Sequence, residues 1–486
     1  MMRSLLPLAA AASLLAGCTL APDYQRPALP AASAWPTGPA YPKPTAGPPA
    51  AAVGWEDYFT DPKLRELIGL AIANNRDLRV SVLNIETARQ QVAVQRSELF
   101  PTVNGTASAS LQQGSTGVGN ADNPVSRIYD TNVGLSSWEL DFFGRVQSLT
   151  DQALEQYLAT EEAQRSAVIS LVAEVATNYL TLAADQQRLK LAESTLKSQQ
   201  ASYDLTRRSR ELGTSTELAV AQARTSVETA RADIARYTRQ VAQDQNALTL
   251  TVGTTLPAKL AAPPALKNVT AFKTLPAGLP SEVLLNRPDI LEAEHTLKAA
   301  NANIGSARAA FFPSISLTAS GGASSTALNS LFTGGGAAWA FAPQVNVPIF
   351  TGGLNTANLR IAETDKQIYV AQYEKAIQTG FREVADALAE RGTIGAQLAA
   401  QQALVKANQQ AYDLSDARFR GGVDNYLSVL TSQQSLYSSQ QDTITVNLQR
   451  LTNFVTLYKV LGGGWSARST PAAAAPATSS GAKGRP

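Results

Sequence analysis

From Thr102 to Leu111 the chain alternates strictly: Val103, Gly105, Ala107, Ala109 and Leu111 share one face, Thr102, Asn104, Thr106, Ser108 and Ser110 the other. A period of two predicts a strand with one apolar and one small-polar face. Ile315, Leu317 and Ala319 oppose Ser314, Ser316, Thr318 and Ser320 in the same way, and Trp339, Phe341, Val345, Val347 and Ile349 oppose Ala338, Ala340, Gln344 and Asn346. A further strand loses phase, since Val133 and Leu135 do not alternate with Trp138, Leu140 and Phe142, which predicts a bulge around Ser136-Ser137. Pro343 removes one ladder donor from an otherwise regular strand. Elsewhere the period becomes helical. No glycine or proline occurs from Arg145 to Leu212, where Val168, Leu171, Val172, Val175, Tyr179 and Leu182 mark one stripe, and none from Thr214 to Val252. A helix over 147–212 would be roughly 99 Å long at 1.5 Å per residue; Gly213 ends it and a shorter helix follows. The second half repeats this with a run from Leu354 to Arg420, the pair Gly421-Gly422, and a helix from Val423 to Leu461. Gly380, Gly392 and Gly395 fall inside its long run and predict a less straight helix than the first.

The two halves are copies. Glu174-Val175-Ala176 returns 209 residues later as Glu383-Val384-Ala385, Tyr203-Asp204-Leu205 as Tyr412-Asp413-Leu414, Gly213 as Gly422 and Gly253 as Gly462. Upstream the offset is 212, pairing Asp77 with Asp289 and Phe100-Pro101 with Phe312-Pro313. A period this long excludes a short-repeat solenoid and indicates one large unit used twice. Each copy reads short helix, strand, loop, strand, long helix, turn, short helix. Four strands per chain cannot close a barrel, and an open edge in lipid leaves amides unpaired at several kcal/mol each. Any barrel must therefore be assembled from several chains. The expected divisions are a signal segment 1–17, an N-terminal strap 18–61, the first repeat 62–253, a linker 254–280, the second repeat 281–465 and a disordered tail 466–486. The Pro/Ala-rich part of the strap, Ala28 to Ala52, is expected to run extended along the barrel.

The opening MMRSLLPLAAAASLLAGC reads as a secretory signal. Leu15-Ala16-Gly17-Cys18 fits a lipoprotein box in which Cys18, the one cysteine of the chain, is acylated; Thr19 rather than Asp at the next position favours outer-membrane sorting. After Cys18 no apolar run reaches 18 residues, so a membrane crossing would use strands. Together with Trp138, Trp339 and Phe341 near strand ends, this favours a transmembrane barrel over a soluble sandwich. Charged residues make up 16% of the chain, below the roughly 25% of soluble domains. Lys and Arg number 41 against 39 Asp and Glu, so nothing points to nucleic acid.

Candidate chemistry is sparse. His295, the only histidine, lies about 140° around a helix from Ile290, which places it on a solvated face. Gly114-Ser-Thr-Gly-Val-Gly119 reads as a loop between strands, without the Lys-bearing helix a phosphate site requires. No catalytic set, metal site or cofactor is expected. Arg207, Arg208, Arg210, Arg418 and Arg420 gather near the glycine turns with Asp204, Glu211, Asp413, Asp416 and Asp424. They read either as solvated helix ends or as inter-helix ion pairs, for which Asp204, Asp413, Arg418 and Arg420 are the candidates. Two classes of function remain: an export duct, and a non-conducting coiled-coil envelope lipoprotein. The duplicated two-faced strands separate them, because a spacer has no use for such strands.

The chain resembles the TolC-type outer membrane efflux factors, in particular the lipoprotein OprM/NodT branch. The likeness rests on the duplicated order and on Cys18-Thr-Leu-Ala-Pro-Asp-Tyr-Gln-Arg-Pro27, Phe100-Pro101, Trp138-Glu-Leu-Asp-Phe-Phe-Gly144, Asn286-Arg-Pro-Asp289, Phe312-Pro313, Gly421-Gly-Val-Asp-Asn-Tyr-Leu427 and Leu461-Gly-Gly-Gly-Trp465. The resemblance implies a homotrimer with a twelve-stranded outer-membrane β-barrel continued by a periplasmic α-helical barrel. Its partners would be the lipid bilayer, a periplasmic adaptor (membrane fusion protein) and an inner-membrane RND-type transporter. The turns at Gly213, Thr214, Ser215 and at Gly421, Gly422, Val423 would be the adaptor-contacting tips. Leu427 would form the apolar constriction, with Leu218 as its repeat partner. The acidic ring usual four residues beyond that leucine is absent, because the position is Thr431.

Overall fold

The computed structural model describes residues 19–42, 49–113, 125–260, 266–271, 280–333 and 335–468. The signal segment, Cys18, the Gly114–Gly119 loop and the tail beyond residue 468 lie outside the described residues. The elements in chain order are α1 (Trp55–Tyr58), α2 (Pro62–Asn74), α3 (Arg76–Ser97), β1 (Val103–Gln113), β2 (Val125–Leu140), α4 (Arg145–Glu211), α5 (Glu217–Val252), α6 (Pro280–Leu285), α7 (Pro288–Ala309), β3 (Ser314–Ser325), β4 (Ala337–Asn346), α8 (Leu354–Arg420) and α9 (Tyr426–Val460). Helices α4 and α8 each have 67 residues and begin and end 209 positions apart. Helices α3 and α7 each have 22, set 212 apart.

The chain forms two compact units that cut across the sequence repeats, each collecting equivalent pieces of both copies. One holds residues 1–28, 83–161 and 292–375, and includes the four strands. They form one antiparallel sheet in the order β1-β2-β3-β4. Register shifts between Leu135 and Trp138, where Ser137 takes a positive φ of 49° and its amide is taken up by Thr318 Oγ1 at 3.1 Å. This bulge returns Val133, Leu135, Trp138 and Leu140 to one face. Pro343 lies on β4, an edge strand of the single-chain sheet, where it faces Leu317 of β3. In the same unit the N-terminal segment lies on helices, not on strands. The Arg26 guanidinium grips Glu294 of α7 at 2.8–3.0 Å, Tyr24 donates to the same carboxylate, and Asn301 and Arg308 donate to the carbonyls of Pro22 and Leu20. A proline-rich segment makes no ladder of its own, so its carbonyls take side-chain donors from a neighbouring helix.

The second unit holds residues 29–82, 162–291 and 376–486 and carries the main core. Trp55, Tyr58, Phe59 and the inner face of α2 (Leu64, Leu67, Ile68, Ala71) pack against Val168–Ala184 of α4 and Leu451–Leu461 around α9. Tyr58 and Tyr458 stack at 3.9 Å, with hydroxyls donating to the Phe454 and Val53 carbonyls. Asp61 caps α2 through the amides of Lys63 and Leu64 and accepts from Tyr179. Trp35 stacks on Phe381 at 5.0 Å.

Helix α8 runs from Leu354 to Arg420 through Gly380, Gly392 and Gly395, and one expectation, the start of the tail, is corrected. A Cβ at Gly392 would lie 2.0 Å from the Ala40 carbonyl oxygen, so this glycine admits the strap instead of breaking the helix. The tail does not start at 466, since Ser466 and Ala467 accept from the amides of Trp55 and Glu56.

Candidate functional site

Two regions carry function-bearing geometry: the sheet, and the turns that join the long helices. Across the sheet, Gly105, Val133, Gly321 and Trp339 form one row, and Val103, Leu135, Ala319 and Phe341 the next, all on the apolar face. The opposite face carries Thr106, Asn132, Gly322 and Ala338, then Asn104, Gly134, Ser320 and Ala340. Thr106 and Asn132 hydrogen bond across strands at 3.0 Å. The apolar face is exposed, Trp339 by 83% and Phe341 by 62%, as a surface built for hydrocarbon must be in an isolated chain. Strands β1 and β4 are both edges of this sheet.

The turns are built identically in both copies. After α4, Thr214 N–H donates to Ser209 O and Gly213 N–H to Arg210 O; after α8, Val423 N–H donates to Arg418 O and Gly422 N–H to Phe419 O. This is the paired bonding of a Schellman end, which needs a left-handed residue, and Gly213 and Gly422 supply φ of 79° and 70°. The returning helices are capped by repeat partners, Thr216 accepting from Ala219 N–H and Asn425 from Ser428 N–H. The motif Gly421–Leu427 is thus a turn, an N-cap, and then two side chains with different fates. Tyr426 is buried with Ala223, Val429 and Leu430, its hydroxyl pushed up to about 12 by burial and then by Tyr412. Leu427 is 52% exposed and Leu218 67%. Thr431 donates to the carbonyl of Leu427.

The charged residues near the turns pair locally. Arg210 meets Glu217 at 2.8 Å across the first turn and Arg418 meets Asp424 at 3.4 Å across the second; Arg207–Glu211 and Arg420–Asp416 are i,i+4 pairs. Asp204 and Asp413, repeat partners, accept instead from Gln200 and Gln409 one turn back on their own helices. The expected grouping of Asp204, Asp413, Arg418 and Arg420 is therefore divided within this chain: three of them take partners four residues away on their own helix, and Arg418 takes Asp424 across the turn. The Asn425 amide, then Ser428 and Arg418, hold the exposed Asp424 carboxyl below the usual carboxylate range. Nothing in the sequence marked Tyr426 as an anchor, although its place after the cap was a usable signal.

His295 corrects the solvated-face expectation. It is 18% exposed and its Nδ1 lies 2.6 Å from Glu155 Oε2 of α4, because α4 packs over that side of α7. Among the described residues no group of His, Cys, Asp and Glu is arranged to hold a metal ion.

The sequence profile of the family described as "Outer membrane efflux protein" matches this chain twice, over residues 67–254 and 279–463. The chain is 51% identical over 467 residues to a probable efflux pump outer membrane protein, TtgC, of Pseudomonas putida, covering 96% of each chain. It is 43% identical to the outer membrane protein OprJ of Pseudomonas aeruginosa, covering 93% of this chain and 94% of the relative. Among solved structures, the open state of the Neisseria gonorrhoeae MtrE outer membrane channel superposes with a TM-score of 0.83 at 38% identity, covering 93% of this chain and all of that one. The duplicated profile, the near full-length identity and the shared fold agree with the two-faced sheet and the paired tips: the chain belongs to the outer membrane efflux protein family.

Proposed function

We infer that this protein is the outer-membrane exit duct of a tripartite efflux pump, working with a periplasmic adaptor and an inner-membrane transporter. The observation that carries this is the four-stranded sheet with two unpaired edges and two chemically distinct faces. Three copies complete a twelve-stranded barrel with no edge left in lipid. The small-polar face lines the lumen, and the apolar face with Trp339 and Phe341 meets hydrocarbon. The chain acts as a passive pore and not as an enzyme: its work is to provide a wetted path, while direction and energy come from the transporter.

The finer assignments follow from that role. Cys18 carries the lipid anchor. Gly213, Thr214, Ser215, Gly421, Gly422 and Val423 form the surface the adaptor engages. Leu427, with Leu218, closes the resting pore by apolar contact and dewetting, while Arg210–Glu217 stiffens the first tip and Arg418–Asp424 the second. Relatives are named for toluene, solvent and antibiotic efflux, and apolar organic compounds are the cargo class proposed here. Deleting the gene and restoring it on a plasmid tests the role. Lost solvent and antibiotic tolerance that only a membrane-inserted trimer restores is the expected result; unchanged tolerance and dye accumulation in the deletion strain would overturn it.

A further inference from the structure

The duplication provides an internal comparison at the start of α3 and of α7. In the second copy Arg287 is 8% exposed at its side chain and sits in a cage. Its guanidinium bonds Asp289 at 2.6–3.0 Å and Glu383 at 2.8 Å, and donates to the Val460 carbonyl at 2.8 Å. In the first copy the same positions are Asn75, Asp77, Glu174 and Thr251. The backbone arrangement is retained: Asn75 Nδ2 donates to the Thr251 carbonyl at 2.9 Å, as Arg287 does to that of Val460. The capping glycines correspond as well, for a Cβ at Gly253 would lie 3.0 Å from Asn75 Cα and one at Gly462 lies 3.9 Å from Arg287 Cγ. Both carboxylates persist, but the guanidinium between them has become a short neutral amide.

A cavity of about 510 Å³ occupies this place, lined by Asn75, Asp77, Glu174, Thr249, Thr251 and Thr254 among others. Glu174 accepts from Thr251 Oγ1 at 3.1 Å on one oxygen. Arg76 also lines the cavity, yet among the described ion pairs it joins neither carboxylate. The repeat copies of these two exposed carboxylates hold a guanidinium between them, and an arginine fork suits paired carboxylates better than a point charge.

We propose that the first repeat carries a cation site between Asp77 and Glu174 that takes a guanidinium or alkylammonium group from outside the chain, replacing the arginine that the second repeat supplies internally. Such a group can arrive on a diffusible cation or on a basic side chain of a neighbouring copy. Purified wild-type trimer titrated with agmatine, against sodium chloride at matched ionic strength, tests the site by its thermal unfolding midpoint. A saturable rise that weakens roughly tenfold or more in Glu174→Gln, and vanishes in Asn75→Arg, where the cavity is filled from within, supports the site with a diffusible ligand. No agmatine response in wild type, combined with lower heat resistance of the trimer in both Glu174→Gln and Asp77→Asn, supports it with a neighbour's side chain as occupant. Absence of any agmatine response together with unaltered trimer stability in those variants would overturn the proposal. Asp289→Asn, which opens the filled cage, serves as the positive control for how far such a loss reads out.

Discussion

Leu427 and Thr431 stand one helical turn apart on α9, and only the first is apolar. With Leu427 half exposed in the single chain and a hydroxyl at Thr431 that bonds back to its own helix, apolar contact is the restraint proposed for the resting pore at this level. Leu427→Ser should raise the resting conductance of purified trimers in planar bilayers more than Thr431→Ala; the opposite order would place the constriction elsewhere. Asp244 on α5 offers a second test at this scale. Burial, then repulsion from and a hydrogen bond with the neighbouring Asp185 carboxylate, raises its pKa to about 6, against a weaker opposing pull from Arg188. A carboxyl raised in the folded state binds its proton more tightly there than in the unfolded chain. The associated stability is present below about pH 4 and is lost as pH rises through about 6. Asp244→Asn should therefore flatten the change in unfolding midpoint between pH 4 and 6 and raise the midpoint at pH 7.5. A midpoint at pH 7.5 below that of wild type would contradict this account.

Helices were legible in the sequence because their signals are local. The absence of glycine and proline from 145 to 212 fixed α4 almost to the residue, and Gly213 and Gly422 marked the ends that proved to be Schellman turns. The slip at Ser136-Ser137 was legible as well, since only a bulge returns both halves of β2 to one face. What escaped depends on distant partners. Gly392 had no visible role because nothing near it in sequence says that Ala40 crosses it. His295 looked solvated because Glu155 lies 140 positions earlier. The strap was read as lying on the barrel because composition reports extension but not the surface underneath. Among site residues, the turn glycines came from local pattern and Leu427 from the family resemblance, whereas the ion pairs near the turns went to partners that only geometry reveals. At the tips, a Cβ at Gly422 would meet nothing within 4 Å, so a large side chain there projects outward and costs about 1–2 kcal/mol of left-handed strain. Gly422→Trp should thus leave trimers intact on native gels while export fails at the adaptor joint; normal drug tolerance in that variant would count against the tip assignment. Gly392→Leu should act differently, displacing the strap and exposing residues 35–42 to limited proteolysis without a change at the tips.

At the scale of the whole molecule, two devices are proposed to hold the protein at the membrane, and they differ in kind. Lipid at Cys18 would hold it by about 0.8 kcal/mol for each CH2 buried, with no backbone crossing the bilayer. The twelve-stranded barrel instead satisfies every strand amide it places in lipid, and removing it would expose the edges of β1 and β4 at several kcal/mol for each unpaired group. Closure and anchoring are therefore separable. The proposed acylation at Cys18 would concentrate three chains at one surface and shorten their search for each other, while the closed sheet keeps them there. Replacing Cys18 by Ser behind a cleavable signal should slow trimer appearance in pulse-chase experiments and lower the yield. The trimers that do form should remain in the outer-membrane fraction after carbonate washing and conduct like wild type. Labelled palmitate should enter the wild-type chain and not the variant. Wild-type protein that takes up no label would remove the anchor from the scheme. Variant trimers that wash off with carbonate would show that the lipid, and not the barrel, is the retaining element.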